Sequence, residues 1–222
     1  MRLAVFDLDG TLIDSLPDLA DSVNSLLRGY GLTEQDDGSV RGMIGDGVAV
    51  LVQRALARCG DAAAGIDRAE ATKRFMEIYG PRATERSRLF PGVKDALTCM
   101  RDEGWRLAVC TNKPVAAAHN ILDTFGLSDL LAAVGGGDSF ATRKPDPGHL
   151  LGTIRMAGGD VSRSVMTGDH ANDIRAASGA GARSVFAEWG YGVQAFAEGA
   201  SACAACMADV PVIAARLVPA VS

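Results

Sequence analysis

An α/β fold is predicted by two features of this sequence. From residue 106 onward, short apolar runs alternate with segments whose apolar residues recur at helical spacing. Such alternation is typical of βαβ units, which have right-handed crossovers and place helices on both faces of a parallel sheet. In addition, acidic residues follow two of the apolar runs within one or two positions, where buried parallel strands are expected to end. We therefore expect a Rossmann-like parallel sheet with an inserted all-helical domain.

The segment after the first predicted strand, residues 2–6, departs from this alternation. Apolar residues recur there at helical spacing in three stretches, residues 16–27, 48–56 and 69–79. Phe90, Pro91 and Gly92 then mark the return of the chain to the sheet. We predict a core domain of residues 1–14 and 90–222, which carries the catalytic site, and an inserted helical domain of residues 15–89.

The remaining elements follow from apolar periodicity and from glycines that close helices. The predicted strands are residues 106–110, 132–134, 164–167 and 184–187, and the predicted helices are residues 114–125, 147–157 and 172–178. Residues 202–206 resemble a core strand, so Cys203 and Cys206 are interpreted as structural rather than as a metal or redox pair. Cys110 is predicted to be a small buried apolar residue within its strand.

Composition limits the classes of partner. With 222 residues, 48% of them hydrophobic, and a net charge of -5, the chain can form a core but offers no broad basic surface for nucleic acid. No apolar run approaches the roughly 18 residues of a membrane span. The N-terminus begins with the first predicted strand and lacks the layout of a signal peptide. We expect a cytoplasmic protein, monomeric or homodimeric, with neither a nucleic-acid nor a membrane partner.

Four aspartates are predicted to meet at the carboxyl edge of the sheet, where ligands bind in open α/β folds. Asp7 and Asp9 follow the first strand, and Asp169 and Asp173 follow the strand at residues 164–167. Carboxylates gathered in a low dielectric repel one another strongly unless they are protonated or share a cation. Mg²⁺, a hard cation that prefers oxygen ligands, is the expected cofactor. The sequence leaves open whether Asp173 coordinates the metal directly.

The polar residues near these strand ends are suited to phosphoryl transfer. Asp7 can act as the nucleophile and Asp9 as general acid and then base. Charge on the phosphoryl oxygens must also be neutralised. Candidate phosphate contacts are the backbone at Gly10, the Thr111 hydroxyl, the Asn112 amide and the Lys144 ammonium. Lys144 is also predicted to be catalytic, as the cation that pairs with the nucleophilic carboxylate.

These residues resemble the motifs of the haloacid dehalogenase superfamily, and the resemblance covers the whole chain. Residues 7–12 are similar to its D-x-D-G-T motif, Thr111 and Asn112 to the second motif, and Lys144 with Pro145 to the third. Gly168-Asp169 with Asn172-Asp173 resembles the fourth. One departure is His170, which stands where serine or threonine is usual and puts a supporting hydrogen bond in doubt. The position of the helical insertion resembles the C1-capped subfamily.

Within that superfamily, four segments resemble the phosphoglycolate phosphatase family: Asp14-Ser15, residues 44–47, residues 111–114 and Trp189-Gly190-Tyr191-Gly192. The resemblance implies a small phosphate ester such as 2-phosphoglycolate as substrate. The carboxylate of such a substrate would need hydrogen-bond donors from the inserted helical domain. Arg41 and the backbone around Gly45 and Gly47 are the candidate donors.

Three alternative functions use the same residues. A phosphosugar mutase would also attack with Asp7 but pass the phosphoryl group to a sugar hydroxyl. A haloacid dehalogenase needs neither a second acid nor a metal, so the pairing of Asp7 with Asp9 disfavours it. A catalytically silent binding module is disfavoured by the complete set of reacting groups.

Overall fold

The structure is a computed structural model, and it describes residues 1–220. The chain divides into two compact units. The first comprises Met1–Asp14 and the described chain from Leu89 onward, and the second is Ser15–Arg88. The return to the first unit lies one residue before the predicted position at residue 90.

The first unit is built on a six-stranded parallel sheet. Its strands lie in the order β5-β4-β1-β6-β7-β8, and the short strands β2 and β3 pair separately. The strands are β1 (Arg2–Phe6), β2 (Ile13–Asp14), β3 (Arg88–Leu89), β4 (Trp105–Cys110), β5 (Ala133–Gly135), β6 (Ser164–Gly168), β7 (Arg183–Ala187) and β8 (Ala202–Ala204). Strand β1 is flanked by β4 and β6, and both pairs are parallel. The predicted α/β fold class is confirmed.

Five helices belong to this unit. They are α5 (Val93–Asp102), α6 (Val115–Thr124), α7 (Pro147–Met156), α8 (Ala171–Ala180) and α9 (Val210–Leu217). Helix α7 begins where the Asp146 carboxylate accepts the N–H of Gly148 at 2.7 Å, with Pro147 at the first helical position. Apolar side chains of α7 and α8 pack on the sheet in one buried cluster: Leu3, Val5, Ala108, Cys110, Leu150, Ile154, Ala157, Met166, Ala176 and Ala177.

The second unit is helical, with α1 (Leu16–Gly29), α2 (Asp37–Arg41), α3 (Val48–Arg58) and α4 (Arg68–Tyr79). Its core contains the stacked rings of Phe75 and Tyr79, whose centroids are 5.6 Å apart. Buried Asp18 accepts hydrogen bonds from the N–H groups of Arg86 and Ser87, so the last residues of the unit are fixed to α1. Among the helices of residues 1–220, none combines the length and the hydropathy that a bilayer span requires.

The predicted core strand at residues 202–206 is wrong. Strand β8 covers only Ala202–Ala204 and lies at the edge of the sheet, where it has a single neighbour. An edge strand buries only part of its side chains, and here Cys203 and Cys206 are exposed while Ala204 is buried. Cys110, in contrast, is fully buried in β4, as predicted. Helices α2, α5 and α9 were not predicted.

Candidate active site

Three neighbouring strands of the first unit end in polar residues. Asp7 follows β1, Thr111 follows β4, and Asp169 follows β6. The Asp7 N–H donates to the carbonyl of Thr167 at 2.9 Å, so the ladder between β1 and β6 continues up to Asp7. Because parallel strands end at the same edge, these side chains lie at one edge of the sheet.

The loop after β1 is a tight turn that requires glycine at position 10. The carbonyl of Leu8 accepts the N–H groups of Leu12 and Ile13, both at 3.0 Å. Gly10 has φ 83°, and a Cβ atom there would lie 2.4 Å from Oδ2 of Asp169. Its N–H donates to the carbonyl of Ile13 at 2.9 Å. The structure therefore shows Gly10 as a point of close approach to Asp169, and a phosphate contact through its backbone stays a prediction.

Lys144 lies at the centre of the site, with a side chain that is only 1% exposed. Its Nζ is 2.8 Å from Oδ1 of Asp7 and 2.6 Å from Oδ1 of Asp173. Burial lowers the pKa of Lys144, but the charges of Asp173 and Asp7 outweigh it and the net pKa is raised. The ammonium is therefore charged and links the nucleophile candidate to Asp173.

The backbone of Lys144 is held on both sides. The Asn112 side-chain amide donates to the carbonyl of Lys144 at 2.9 Å. The backbone N–H of Lys144 donates to Nδ1 of His149 at 3.1 Å. Asn112, predicted as a phosphate contact, thus supports the Lys144 loop in this structure. Thr111 is buried, and its hydroxyl oxygen accepts the N–H of Lys113 at 3.2 Å.

The buried carboxylates fit a divalent cation. One oxygen from each of Asp7, Asp169 and Asp173 lies within 4.8 Å of the others. Burial, and next the charge of Asp7, raise the pKa of Asp169 to about 6. Burial also raises the pKa of Asp173 despite the nearby Lys144. Since both shifts mark a cost of holding negative charge here, and since the donors are hard oxygens, a cation such as Mg²⁺ would stabilise the cluster.

Asp9 has a partner that the sequence analysis missed. Nζ of Lys113 lies 2.8 Å from each carboxylate oxygen of Asp9, and the Lys113 side chain is only 3% exposed. One feature of the sequence could have indicated a role for Lys113. It directly follows Thr111-Asn112, within the segment 111–114 that resembles the phosphoglycolate phosphatase family. With Lys113 included, two ammonium groups face four carboxylates, so two negative charges remain for a divalent cation to neutralise.

His170 supplies the hydrogen bond that its unusual identity put in doubt. It is the residue before α8, and its Nδ1 accepts the N–H of Asn172 at 3.2 Å. In return, Oδ2 of Asp173 accepts the N–H of His170 at 3.0 Å. This reciprocal capping fixes the start of α8 and leaves Oδ1 of Asp173 directed to Lys144.

Arg41, Gly45 and Gly47 lie in the helical unit. Arg41 is exposed at the end of α2. Gly45 and Gly47 both have positive φ and flank Asp46, whose carboxylate is 2.5 Å from the Arg54 guanidinium. Their contact with a substrate stays a prediction.

His149 should make stability fall in mild acid. Burial, and next the charge of Lys144, lower the pKa of His149 from 6.5 to about 4. As pH falls, the His149 imidazole is therefore protonated in the unfolded chain before it is protonated in the folded protein. The part of the unfolding free energy that depends on neutral His149 is present above about pH 6.5 and is lost as pH falls toward 4. Between about pH 7.5 and about pH 5, we expect the wild type to lose about 2 kcal/mol more unfolding free energy than His149→Gln. Urea unfolding at both pH values measures this; equal losses would contradict it.

Comparison with known proteins agrees with this geometry. Residues 4–187 match the family model described as haloacid dehalogenase-like hydrolase. The chain is 41% identical over 189 residues to phosphoglycolate phosphatase of Mesorhizobium japonicum, covering 85% of this chain and 83% of that protein. The enzyme of the same name from Agrobacterium fabrum is also 41% identical over 189 residues, covering 85% and 81%.

A solved structure shares the whole architecture. The crystal structure of a predicted phosphoglycolate phosphatase from Haemophilus somnus 129PT superposes with a TM-score of 0.89 at 34% identity, covering 96% of this chain and 97% of that one. The family match extends over most of the chain and includes Asp7, Lys144 and Asp169. The chain therefore belongs to the haloacid dehalogenase-like hydrolase family.

Proposed function

We propose that this protein is a Mg²⁺-dependent phosphomonoester hydrolase that forms an aspartyl-phosphate on Asp7. The observation that carries the proposal is the buried cluster in which Lys144 contacts both Asp7 and Asp173 while Asp169 completes a set of oxygen donors. The family match and the phosphatase names of the relatives support it.

In the proposed reaction, a carboxylate oxygen of Asp7 attacks phosphorus and the bond to the ester oxygen breaks. Asp9 gives a proton to the leaving oxygen and then takes one from the water that hydrolyses the acyl phosphate. Lys144 neutralises charge beside the nucleophile and holds its carboxylate in place. The cation, which Asp7, Asp169 and Asp173 would hold together with Asp9, would supply charge stabilisation for the phosphoryl oxygens. Asp173 also acts as the counter-ion of Lys144, because its Oδ1 lies 2.6 Å from the Lys144 Nζ.

For the substrate, we propose 2-phosphoglycolate or a similar small phosphate ester. The names of the curated relatives support this choice. Arg41 and the backbone at Gly45 and Gly47 are proposed to contact the substrate carboxylate, with Gly10, Thr111 and Asn112 near the phosphate. A cytoplasmic location and a monomeric or homodimeric state remain predictions.

The function is tested by a panel of small phosphate esters, each assayed with Mg²⁺ and after chelation. We expect 2-phosphoglycolate to give the highest kcat/KM and activity to require the metal. If several sugar phosphates rank above it, the substrate assignment fails but the phosphatase assignment stands. If glucose phosphates are isomerised rather than hydrolysed, the protein is a mutase instead.

Removing Asp169 should weaken the dependence on Mg²⁺ more than removing its neighbour Asn172. Asp169→Ala deletes a carboxylate from the proposed metal site, whereas Asn172→Ala deletes a neutral amide. We expect the Mg²⁺ concentration for half-maximal activity to rise by at least about tenfold in Asp169→Ala. A titration of activity against Mg²⁺ for both variants measures this. A half-maximal concentration like that of the wild type in Asp169→Ala would exclude this residue as a ligand.

The role of Asp9 as general acid predicts a dependence on the leaving group. Alkyl phosphates need a proton on the departing oxygen, whereas nitrophenyl phosphate needs little. We expect Asp9→Asn to lower kcat on alkyl esters by about 10²–10⁴-fold and on nitrophenyl phosphate by much less. Steady-state kinetics on both esters decide the question, and equal losses count against the general-acid role.

A further inference from the structure

One loop of the first unit lies against Asp169 and has not been assigned a role. We call residues Trp189–Gly192, which follow β7, the Asp169 loop. The N–H groups of Tyr191 and Gly192 both donate to Oδ2 of Asp169, at 2.8 and 3.3 Å. Asp169 itself is 3% exposed and the two donors are partly buried, so these are hydrogen bonds to a charged group, which are stronger than those between neutral groups.

The two glycines of the Asp169 loop are needed because no Cβ atom fits beside Asp169, not because their backbone dihedrals require glycine. Neither Gly190 nor Gly192 is among the glycines with positive φ. A Cβ atom at Gly190, however, would lie 2.2 Å from Cβ of Asp169, and one at Gly192 would lie 1.8 Å from the carbonyl oxygen of Asp169. A Cβ at Gly190 would also lie 2.5 Å from the carbonyl oxygen of Gly10, so no side chain fits at either position unless Asp169, Gly10 or the loop itself moves. The loop backbone therefore fixes where Asp169 can be.

The same loop supports the other oxygen of Asp169 through Thr11. The Thr11 hydroxyl donates to Oδ1 of Asp169 at 2.8 Å, and the carbonyl of Thr11 accepts the indole N–H of Trp189 at 3.0 Å. The loop is also anchored at a distance from Asp169, since the Tyr191 hydroxyl donates to Oδ1 of Asp14 at 2.8 Å. Both carboxylate oxygens are thus held by groups that depend on this one loop.

We infer that the Asp169 loop positions the Asp169 carboxylate and thereby sets the affinity of the site for its divalent cation. This inference rests on the proposed function, because it assumes that Asp169 binds the cation. A carboxylate already held in one orientation loses little freedom when a cation binds, and loss of groups that orient a metal ligand typically weakens affinity by about 10–100-fold. Gly190 and Trp189 are positioning residues in this scheme, since neither is assigned a contact with the substrate.

The test is the affinity for Mg²⁺ of the full-length protein without substrate, measured by isothermal titration calorimetry with MgCl₂. In Gly190→Ala, the new Cβ overlaps Asp169, so the loop and Asp169 cannot keep their present arrangement, and we expect Kd to rise by at least about tenfold. Gly80→Ala is the matched control, because a Cβ at Gly80 meets nothing within 4 Å and its φ of -50° suits alanine. Its Kd should equal that of the wild type.

Trp189→Phe provides a second, milder variant that keeps an aromatic ring but loses the hydrogen bond to Thr11. We expect its Kd to rise by a few-fold. A folded Gly190→Ala protein with the Kd of the wild type overturns the inference and leaves the proposed function intact. If circular dichroism shows that Gly190→Ala is unfolded, Trp189→Phe decides, and an unchanged Kd overturns the inference. If the wild type itself does not bind Mg²⁺, the metal dependence of the proposed function and the inference fail together.

Discussion

Asp7→Asn is expected to lower kcat by at least about 10⁴-fold while the protein stays folded. Asparagine keeps the shape of the side chain but cannot attack phosphorus as a carboxylate does. Loss of the Asp7 carboxylate also removes one of three mutually repelling carboxylates. Lys144 keeps its ion pair with Asp173 at 2.6 Å. Stability should therefore change little. Initial rates on the best ester of the panel measure the effect, with circular dichroism as the check on folding.

The matched control for this variant is Asp129→Asn, which neutralises an exposed aspartate that precedes the amino end of β5, whereas the site lies at the carboxyl ends of the strands. It should retain the activity of the wild type. A folded Asp7→Asn protein that hydrolyses the ester at a comparable rate would exclude the aspartyl-phosphate mechanism. A covalent phosphate trapped on the wild type and absent from Asp7→Asn would support it.

Lys144→Met should have the largest effect on stability and should also remove activity. It leaves Asp7 and Asp173 without the ammonium that neutralises them in a buried position. Loss of one partner of a buried ion pair typically costs about 3–5 kcal/mol, because the remaining charge is uncompensated. Urea unfolding in the absence of Mg²⁺ measures this loss.

Lys94→Met is the matched control, since Lys94 is exposed on α5 and such surface changes usually alter stability by less than about 0.5 kcal/mol. The double variant Asp7→Asn/Lys144→Met should be more stable than Lys144→Met alone, because one uncompensated carboxylate is gone. A single variant as stable as the wild type would show that Lys144 does not neutralise this cluster.

The α/β fold class could be predicted from the sequence because it depends on local pattern. Each strand of the sheet is a short apolar run, and helices α6, α7 and α8 each show a helical periodicity and a closing glycine. The positions of Asp7 and Asp169 followed from a general rule, since the carboxyl ends of parallel strands meet at one edge. The interpretation of an apolar run as a buried core strand failed at residues 202–206. An apolar run does not reveal whether its strand is central or at the edge of the sheet.

What the sequence by itself determined is thus the order of the central strands and of the helices between them, and the presence of four aspartates close to strand ends. Only the tertiary structure decided which groups those carboxylates meet. Lys113 contacts Asp9 across 104 residues, and Trp189 contacts Thr11 across 178 residues. Such contacts depend on the strand order of the sheet and on side-chain rotamers, neither of which leaves a periodic signal in the chain. For the same physical reason, the close approach of Gly190 to Asp169 is visible only after folding brings the two backbones together.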